Sequence, residues 1–278
     1  MADILLVGCG YVGCVLGQQL AAGGHRVWGA RRSPEKLPEQ ISGVAVDVTR
    51  PDTLKQLPDV DLVLYLTAAN GRTDAHYEGA YVHGPSAVMQ ELAQRARPPK
   101  RFFFVSSTGV FGDFDGDWVD ESMTPFPAHF AGRCMVQGEE RVRAGSIPHS
   151  ILRLSGIYGP GRTRLLKAAE KGGALEETMA GTWLNQIHLD DIVGAMAHVL
   201  LMPQPPEVLH LSDTAPEKRG ELLRELAAMR GWVGPEIVPD ATPGLRPPRG
   251  NKRVRATRLL EAGYRFRYPT WREGYAGL

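Results

Sequence analysis

The sequence predicts an α/β fold, a doubly wound parallel sheet with a small C-terminal lobe. Three observations predict it. Short, continuously apolar runs recur through the first half, such as Ile4 to Val7, Asp61 to Thr67 and Arg101 to Ser106. Stretches of helical spacing separate them, beginning with Val12, Leu16 and Leu20. A glycine-rich turn joins the first run to the first helix. Strands without polar alternation are those buried on both faces, and their alternation with helices builds a parallel sheet covered by helices.

Taken in order, residues 3–8 form an apolar strand that ends in glycine, and 11–22 a helix. Arg26 to Ala30 is the second strand, Val44 to Val46 a short third, Asp61 to Thr67 the fourth. Tyr77 to Arg95 reads as one helix with Ala80, Ala87, Val88 and Leu92 on its apolar face, and Arg101 to Ser106 is the fifth strand. Prolines then divide the chain into shorter units. These include a helix around Gly138 to Arg143, a strand Ser150 to Leu154, a helix Leu189 to Leu201, a strand Glu207 to Leu211 and a helix Lys218 to Met229. From Gly231 on, the chain reads as turns. The stretch Arg246 to Arg255, basic and rich in Pro and Gly, reads as a solvated loop.

The 278 residues are 43% hydrophobic, enough for one large domain or a domain with an appended lobe. Acids and bases nearly balance at a net charge of +1, which argues against a nucleic-acid or anionic-membrane partner. No apolar run approaches the ~20 residues of a membrane span. No basic segment or small-residue cleavage site precedes Ile4, so a signal peptide is not expected. Cys9, Cys14 and Cys134 have no framework spacing and read as reduced thiols, which places the chain in the cytoplasm. The acidic stretch Asp113, Asp115, Asp117 and Asp120 has the glycines of a turn and lacks a Ca²⁺-loop pattern, and no metal site is expected.

Gly8-Cys9-Gly10-Tyr11-Val12-Gly13 is a G-x-G-x-x-G run set between a strand and a helix, the context that makes the motif a dinucleotide-binding (Rossmann) turn. Gly8 permits the tight turn, Gly10 lets the backbone touch a pyrophosphate, and Gly13 lets the helix approach the strand. Tyr11 and Val12 open the helix whose free N–H groups face the anion. At the end of the second strand, an acidic residue would select NAD. Here Ala30-Arg31-Arg32-Ser33 offers two guanidinium groups and a hydroxyl, suited to a 2′-phosphate. NADP(H) is therefore expected ahead of NAD(H), the competing reading being two solvated arginines. Asp47 and Val48 close the third strand, where the carboxylate could accept from adenine or belong to the start of a helix over Pro51 to Leu57. Thr67, Ala68 and Ala69 end the fourth strand and leave room for a cofactor.

The segments GCGYVG, VSSTGVFGDFDGDWVDE (105–121), LRLSGIYGPGR (152–162), NQIHLDDI (185–192) and NKRVRATRLLEAGYRFRYPTWREG (251–274) resemble the extended short-chain dehydrogenases/reductases, among them the nucleotide-sugar epimerases and dehydratases. The resemblance implies a sheet of about seven strands. It implies a dinucleotide-binding domain over 1–160, joined by 186–215, and a substrate lobe mainly over 161–278. It implies a small-molecule substrate, anionic or nucleotide-linked, and a homodimer. It also implies chemistry by a Ser/Thr and a Tyr-x-x-x-Lys pair, in which the lysine lowers the phenol's pKa so that a proton moves with the hydride.

Mapped residue by residue, the serine falls on Ser107, flanked by Ser106 and Thr108, with Ser106 beside the cofactor. The Tyr-Gly-x-Ser-Lys-x-x-x-Glu pattern matches at Gly132 and Glu139. The tyrosine position holds Ala131 and the lysine position Met135, and no tyrosine lies between Tyr81 and Tyr158. The family's fourth-helix asparagine is replaced by Tyr81. His129 could act as acid or base or be an exposed loop histidine. Arg133 could bind an anion or be a surface cation. Tyr81 could present a phenol or pack in the core. His188 reads as packing, and Asp190 and Asp191 as carboxylates complementing a helix dipole. Arg162 and Arg164 could hold an anionic group or be solvated. Two functions follow. One is an NADP(H)-dependent oxidoreductase or epimerase/dehydratase-like enzyme with a non-standard site. The other is an inactive NADP(H)-binding sensor, regulator or scaffold.

Overall fold

The computed structural model describes residues 1–71, 73–241 and 250–278. Its main sheet has seven strands: β1 (Asp3–Val7), β2 (Arg26–Arg31), β3 (Ser42–Ala45), β4 (Leu62–Tyr65), β5 (Arg101–Ser107), β6 (His149–Leu154) and β7 (Val208–Leu211). They lie in the order β7-β6-β5-β4-β1-β2-β3. β1 pairs in parallel with β2 and β4, placing Leu5 opposite Trp28 and Ile4 opposite Leu62, and β2 with β3 and β4 with β5 are parallel too. The order reverses between β1 and β4, which opens a crevice at their carboxyl ends. The apolar runs explain themselves: Ile4 to Val7 and Phe102 to Phe104 are fully buried, as strands covered on both faces must be.

The chain divides into two compact units. The first comprises Met1–Ser107, Phe130–Arg153 and Val193–Leu209, and the second Thr108–His129, Leu154–Ile192 and His210–Leu278. In the first unit, helix α1 (Tyr11–Ala22) follows β1. The single helix expected over Tyr77 to Arg95 is instead three pieces: α2 (Asp74–Glu78), a wider π turn at Gly79–His83, and α3 (Gly84–Ala93). Two contacts account for the widening. The buried Tyr65 hydroxyl donates to Ala80 O at 2.6 Å, taking a carbonyl from the helical ladder. Helix α4 (Phe130–Arg143) meets the turn so closely that a Cβ at Gly138 would lie 2.0 Å from Tyr81 O. π turns of this kind are common beside functional sites.

Helix α4 is anchored by a buried charge pair. Glu139 is fully buried and accepts from Arg153 Nε at 2.9 Å and Nη2 at 2.7 Å, and from Ser106 Oγ at 2.7 Å. This ties α4 to β5 and β6. Loss of one partner would strand a buried charge, at a cost of about 3–5 kcal/mol.

The second unit has its own core of Tyr158, Leu166, Leu222, Leu226, Trp271 and Tyr275, with Tyr158 and Tyr275 stacked at 4.3 Å. The C-terminal part holds more regular structure than its turn-rich sequence suggests. Pro235–Val238 pairs in parallel with Gly173–Glu176, Arg253–Val254 with Trp118–Val119, and helices span Thr257–Glu261 and Trp271–Ala276. The last is opened by a capping box of Thr270 and Glu273, a T-x-x-E signal legible in the sequence. Of the basic stretch expected to be a solvated loop, 246–249 lies outside the described residues, and the rest departs from expectation: Lys252 is buried and Arg253–Val254 is a strand. Asp190 and Asp191 stand in the first turn of a helix, Leu189–Leu200, as expected, and Asp191 has a further task. Its fully buried carboxylate accepts from Arg267 N–H at 2.7 Å, Tyr268 N–H at 2.9 Å and the Tyr264 hydroxyl at 2.9 Å, so it staples the C-terminal segment in place. His188 packs as expected, between Tyr158 and Tyr268, and its Nδ1 accepts from Asp190 N–H at 3.1 Å.

Beside this core sits a second buried carboxyl, Asp213, with one oxygen accepting from Ala215 N–H at 3.2 Å and the other without a partner. Burial, reinforced by nearby Asp191, raises its pKa well above the usual carboxylate range. A raised folded-state pKa favours the protonated fold, so stability is lost as pH climbs from the unfolded value near ~4 through the folded one. Asp213→Asn, neutral at every pH, should therefore match wild type near pH 4 and exceed it in melting temperature at pH 8. Thermal unfolding across that range tests this, and a gap that does not change with pH would refute it.

Candidate functional site

A cavity of about 560 Å³ opens in the first unit where the order of strands reverses. Four segments that follow the carboxyl ends of strands line it, Gly8 to Gly10 after β1, Arg31 to Ser33 at β2, Val46 to Thr49 after β3, and Thr67 and Ala68 after β4, together with residues between Asn70 and Ala80.

The turn is built by backbone crowding. Gly8 has φ +82°, and a Cβ there would lie 2.5 Å from Thr67 Cα. Only glycine allows that conformation and that approach. Gly13 is also close-packed, since a Cβ would meet Leu66 Cδ1 at 3.0 Å. Gly10 differs. A Cβ there would meet nothing nearer than Gly8 O at 3.7 Å, and Gly10 lines the cavity. Its missing side chain is room left to whatever occupies the cavity, at the amino end of α1.

At the β2 end, Arg31 is half-buried and its Nη1 donates to Cys9 O at 3.2 Å, bracing the turn. Arg32 is exposed, and Ser33 lies beside it. Asp47 settles into a local turn, its Oδ1 accepting from Thr49 N–H at 3.0 Å and Thr49 Oγ1 at 2.7 Å. Burial pushes its pKa up, but those bonds and the Arg32 and Arg50 charges outweigh it and hold the carboxyl below its ordinary value. The helix that follows is only Pro51–Leu54, with Arg50 rather than Asp47 as its cap.

Of the residues the sequence assigned to a cofactor, Gly8, Gly10, Arg31, Arg32, Ser33, Asp47, Val48, Thr67 and Ala68 converge on this cavity. Tyr11, Val12, Gly13, Ala69 and Ser106 do not line it. Gly13 acts through packing. Ser106 is buried with its hydroxyl on Glu139, which makes it part of the α4 anchor. Ala69 donates its N–H to the Tyr81 hydroxyl at 3.2 Å. Cys9, Thr49, Asn70, Ala75, His76 and Ala80 line the cavity and were missed. The signal was available for Thr49 and Asn70, since residues just past strand ends line such crevices. For Ala80 it was not, because its place depends on the π turn. Burial pushes the Cys9 thiol up to about 12, so it is an inert wall.

The candidates for chemistry stand on several elements, with Tyr77 touching both Tyr81 and Phe130 at the start of α4. Ser107 ends β5 in the first unit. Tyr81 stacks on Tyr77 at 5.7 Å, and burial raises its phenol further from neutrality, so its hydroxyl serves the backbone at Ala69. Arg133 is exposed on α4, with its guanidinium over Phe130 at 5.9 Å. His129 is half-buried in the second unit. In the acidic loop, Asp113 accepts from Asp115 N–H and Asp120 from Ser122 N–H, so both carboxylates are spent on turns.

The glycines separate two roles. Gly8→Ala should cost about 1–2 kcal/mol for the left-handed backbone alone, and more through the Thr67 contact. Gly10→Ala should stay within about 1 kcal/mol of wild type. Urea unfolding measures both, and equal losses would contradict the distinction.

The comparisons with known proteins agree with this geometry. Residues 4–211 match the model of the NAD dependent epimerase/dehydratase family. The chain is 28% identical over 286 residues to Protein YeeZ of Escherichia coli strain K12, covering 97% of each chain. It is 34% identical to a solved structure from Methylobacillus flagellatus described as an NAD-dependent epimerase/dehydratase, at TM-score 0.82 and covering 100% of this chain and 97% of that one. It shares the fold of the human epimerase family protein SDR39U1 (isoform 2), solved with NADPH, at 18% identity and TM-score 0.78, covering 99% and 98%. With the family's model spanning its whole crevice-forming sheet, this chain belongs to the NAD-dependent epimerase/dehydratase family.

Proposed function

We propose that the chain is an NADP(H)-binding oxidoreductase or epimerase/dehydratase-like enzyme whose proton transfer does not use a Tyr/Lys pair. One observation carries the reading: a single cavity has the open Gly10 cradle at one end and Arg31, Arg32 and Ser33 at the other. The cradle fits a pyrophosphate held by backbone N–H groups, and the basic end fits a 2′-phosphate. NADPH in the human structure of the same fold supports the choice, although the family's name and the M. flagellatus relative speak of NAD. Asp47, facing the cavity near Arg32, balances charge at that end.

A nicotinamide dinucleotide would supply a hydride donor or acceptor. The chain's own part is to hold it and to manage a proton. Gly8 and Gly10 fix its centre, Arg31 and Arg32 its adenosine end, and Ser107 orients a substrate oxygen. Tyr81 accepts the Ala69 N–H and keeps its own O–H, so a water, His129 or Tyr81 supplies the proton. The substrate is a small molecule, anionic or nucleotide-linked. A second reading, an inactive NADP(H)-dependent sensor or scaffold, is favoured by Ala131 and Met135, which move no proton.

Arg31 also braces the turn, so Arg32→Ala is the cleaner probe. It should weaken NADPH binding about 10- to 100-fold, as loss of a charge-assisted bond does, and leave NADH binding within about threefold. Fluorescence titration reads both, and equal losses would remove the 2′-phosphate assignment. Incubation of stereospecifically deuterated NADPH with a panel of carbonyl metabolites separates enzyme from sensor. The enzyme reading expects label in one product, and tight NADPH binding without any transfer would favour the sensor.

A further inference from the structure

We propose that Lys252 is the charged centre of an anion subsite in the second unit, taking a carboxylate or phosphate oxygen of a small-molecule ligand; the assignment of that ligand as substrate rests on the reading above. The chain has seven lysines, and the other six are exposed while Lys252 is 8% exposed. A lysine with no task at its amine lays its stem along the surface and keeps its head in water. Lys252 does the opposite.

Its amine lacks a charge partner. Among the described residues no carboxylate pairs with it, and residues 242–249 contain no Asp or Glu. The acid that influences it, Asp113, already accepts from the N–H groups of Asp115 at 3.1 Å and Asn251 at 3.2 Å. An unpaired buried ammonium is costly, and the cost falls when an anion arrives.

The backbone that carries it is fixed from both sides. Asn251 O accepts from Phe114 N–H at 2.9 Å and Gly116 N–H at 3.1 Å, and Asn251 Oδ1 accepts from Trp183 N–H at 2.9 Å. Asn185 brackets the lysine itself, donating from Nδ2 to Lys252 O at 2.9 Å and accepting Val254 N–H on Oδ1 at 2.7 Å. Chain alternation then separates Lys252, on the side of buried Val254, from Arg253 and Arg255, whose guanidiniums stack on Trp118 at 5.0 and 4.6 Å. The arginines are held by indoles, whereas the lysine's amine makes no hydrogen bond or ion pair with the described residues. An ammonium is a compact point charge with three donors, suited to one anionic oxygen rather than to a planar bidentate pair. Burial pulls its pKa down to about 8, consistent with an amine awaiting a counter-charge.

The full-length protein with ¹³Cε-labelled lysine tests this by NMR. Lys252, assigned by its loss in Lys252→Met, should titrate near pH 8, below the other six. Inorganic pyrophosphate and UDP serve as the phosphate arm and citrate as the carboxylate arm. At least one arm should raise the Lys252 midpoint by about one pH unit or more, as an adjacent opposite charge does. Lys252→Met should weaken that probe at least tenfold and leave NADPH affinity within about twofold. A Lys252 that titrates with the other lysines, or that no probe moves, overturns the proposal. NADPH failing to bind wild type while a probe still shifts Lys252 would remove the cofactor reading and leave the subsite standing.

Discussion

The contact on which the site depends is between two backbones. The chain leaving β1 passes Thr67 at the end of β4 so closely that a Cβ on Gly8 would lie 2.5 Å from Thr67 Cα. Because β1 and β4 are neighbours at the reversal of strand order, this approach both closes the sheet's top edge and turns the chain into α1. The amino end of α1 then begins beside Gly10, which lines the crevice. No side chain need be positioned for this, because the geometry follows from a glycine at φ +82° and from parallel pairing on either side of β1.

The dependence explains what was legible in the sequence. Glycine spacing, strand ends and the Arg31-Arg32 pair are local features, and they converge on one cavity because strand order brings strand ends together. Features set by long-range contacts were not legible. The π turn at Gly79–His83 needs the Tyr65 hydroxyl and the Gly138 surface of α4, residues 14 or more positions away from it. Ser106 looked like a residue of the cofactor site because it sits at a strand end. The buried Glu139–Arg153 pair claims its hydroxyl from the other side. The second unit was the least legible part. Lys252 sits in a basic, proline-rich stretch whose composition says solvent, and contacts distant in sequence, Asn185 with its carbonyl among them, fix it indoors.

Helix α4 shows how a family scaffold can keep one function and change another. Its inward face is spent on structure: Gly138 receives the π turn, and Glu139 anchors β5 and β6. Those constraints lie in the backbone and in a buried ion pair, and neither depends on what stands at 131 and 135. Ala131 and Met135, which the resemblance aligns with a phenol and an amine, take no part in these contacts. The π turn, moreover, holds Tyr81 so that its hydroxyl takes the Ala69 N–H at the end of β4. A phenol is present on this face, but it is used to hold the chain after β4, beside the cavity wall at Ala68.

Cofactor binding and proton transfer thus rest on different physical foundations in this chain. For the first, the cavity combines a backbone cradle with the Arg31 and Arg32 end, brought together by the order of strands. The second needs an ionisable side chain with a pKa near neutrality, and burial moves Cys9 and Tyr81 of the first unit away from it, upward. In the second unit the direction is favourable, since burial brings an amine, Lys252, down toward neutrality. Lys252, buried and without an ion pair among the described residues, is the group on which the proposed anion subsite turns.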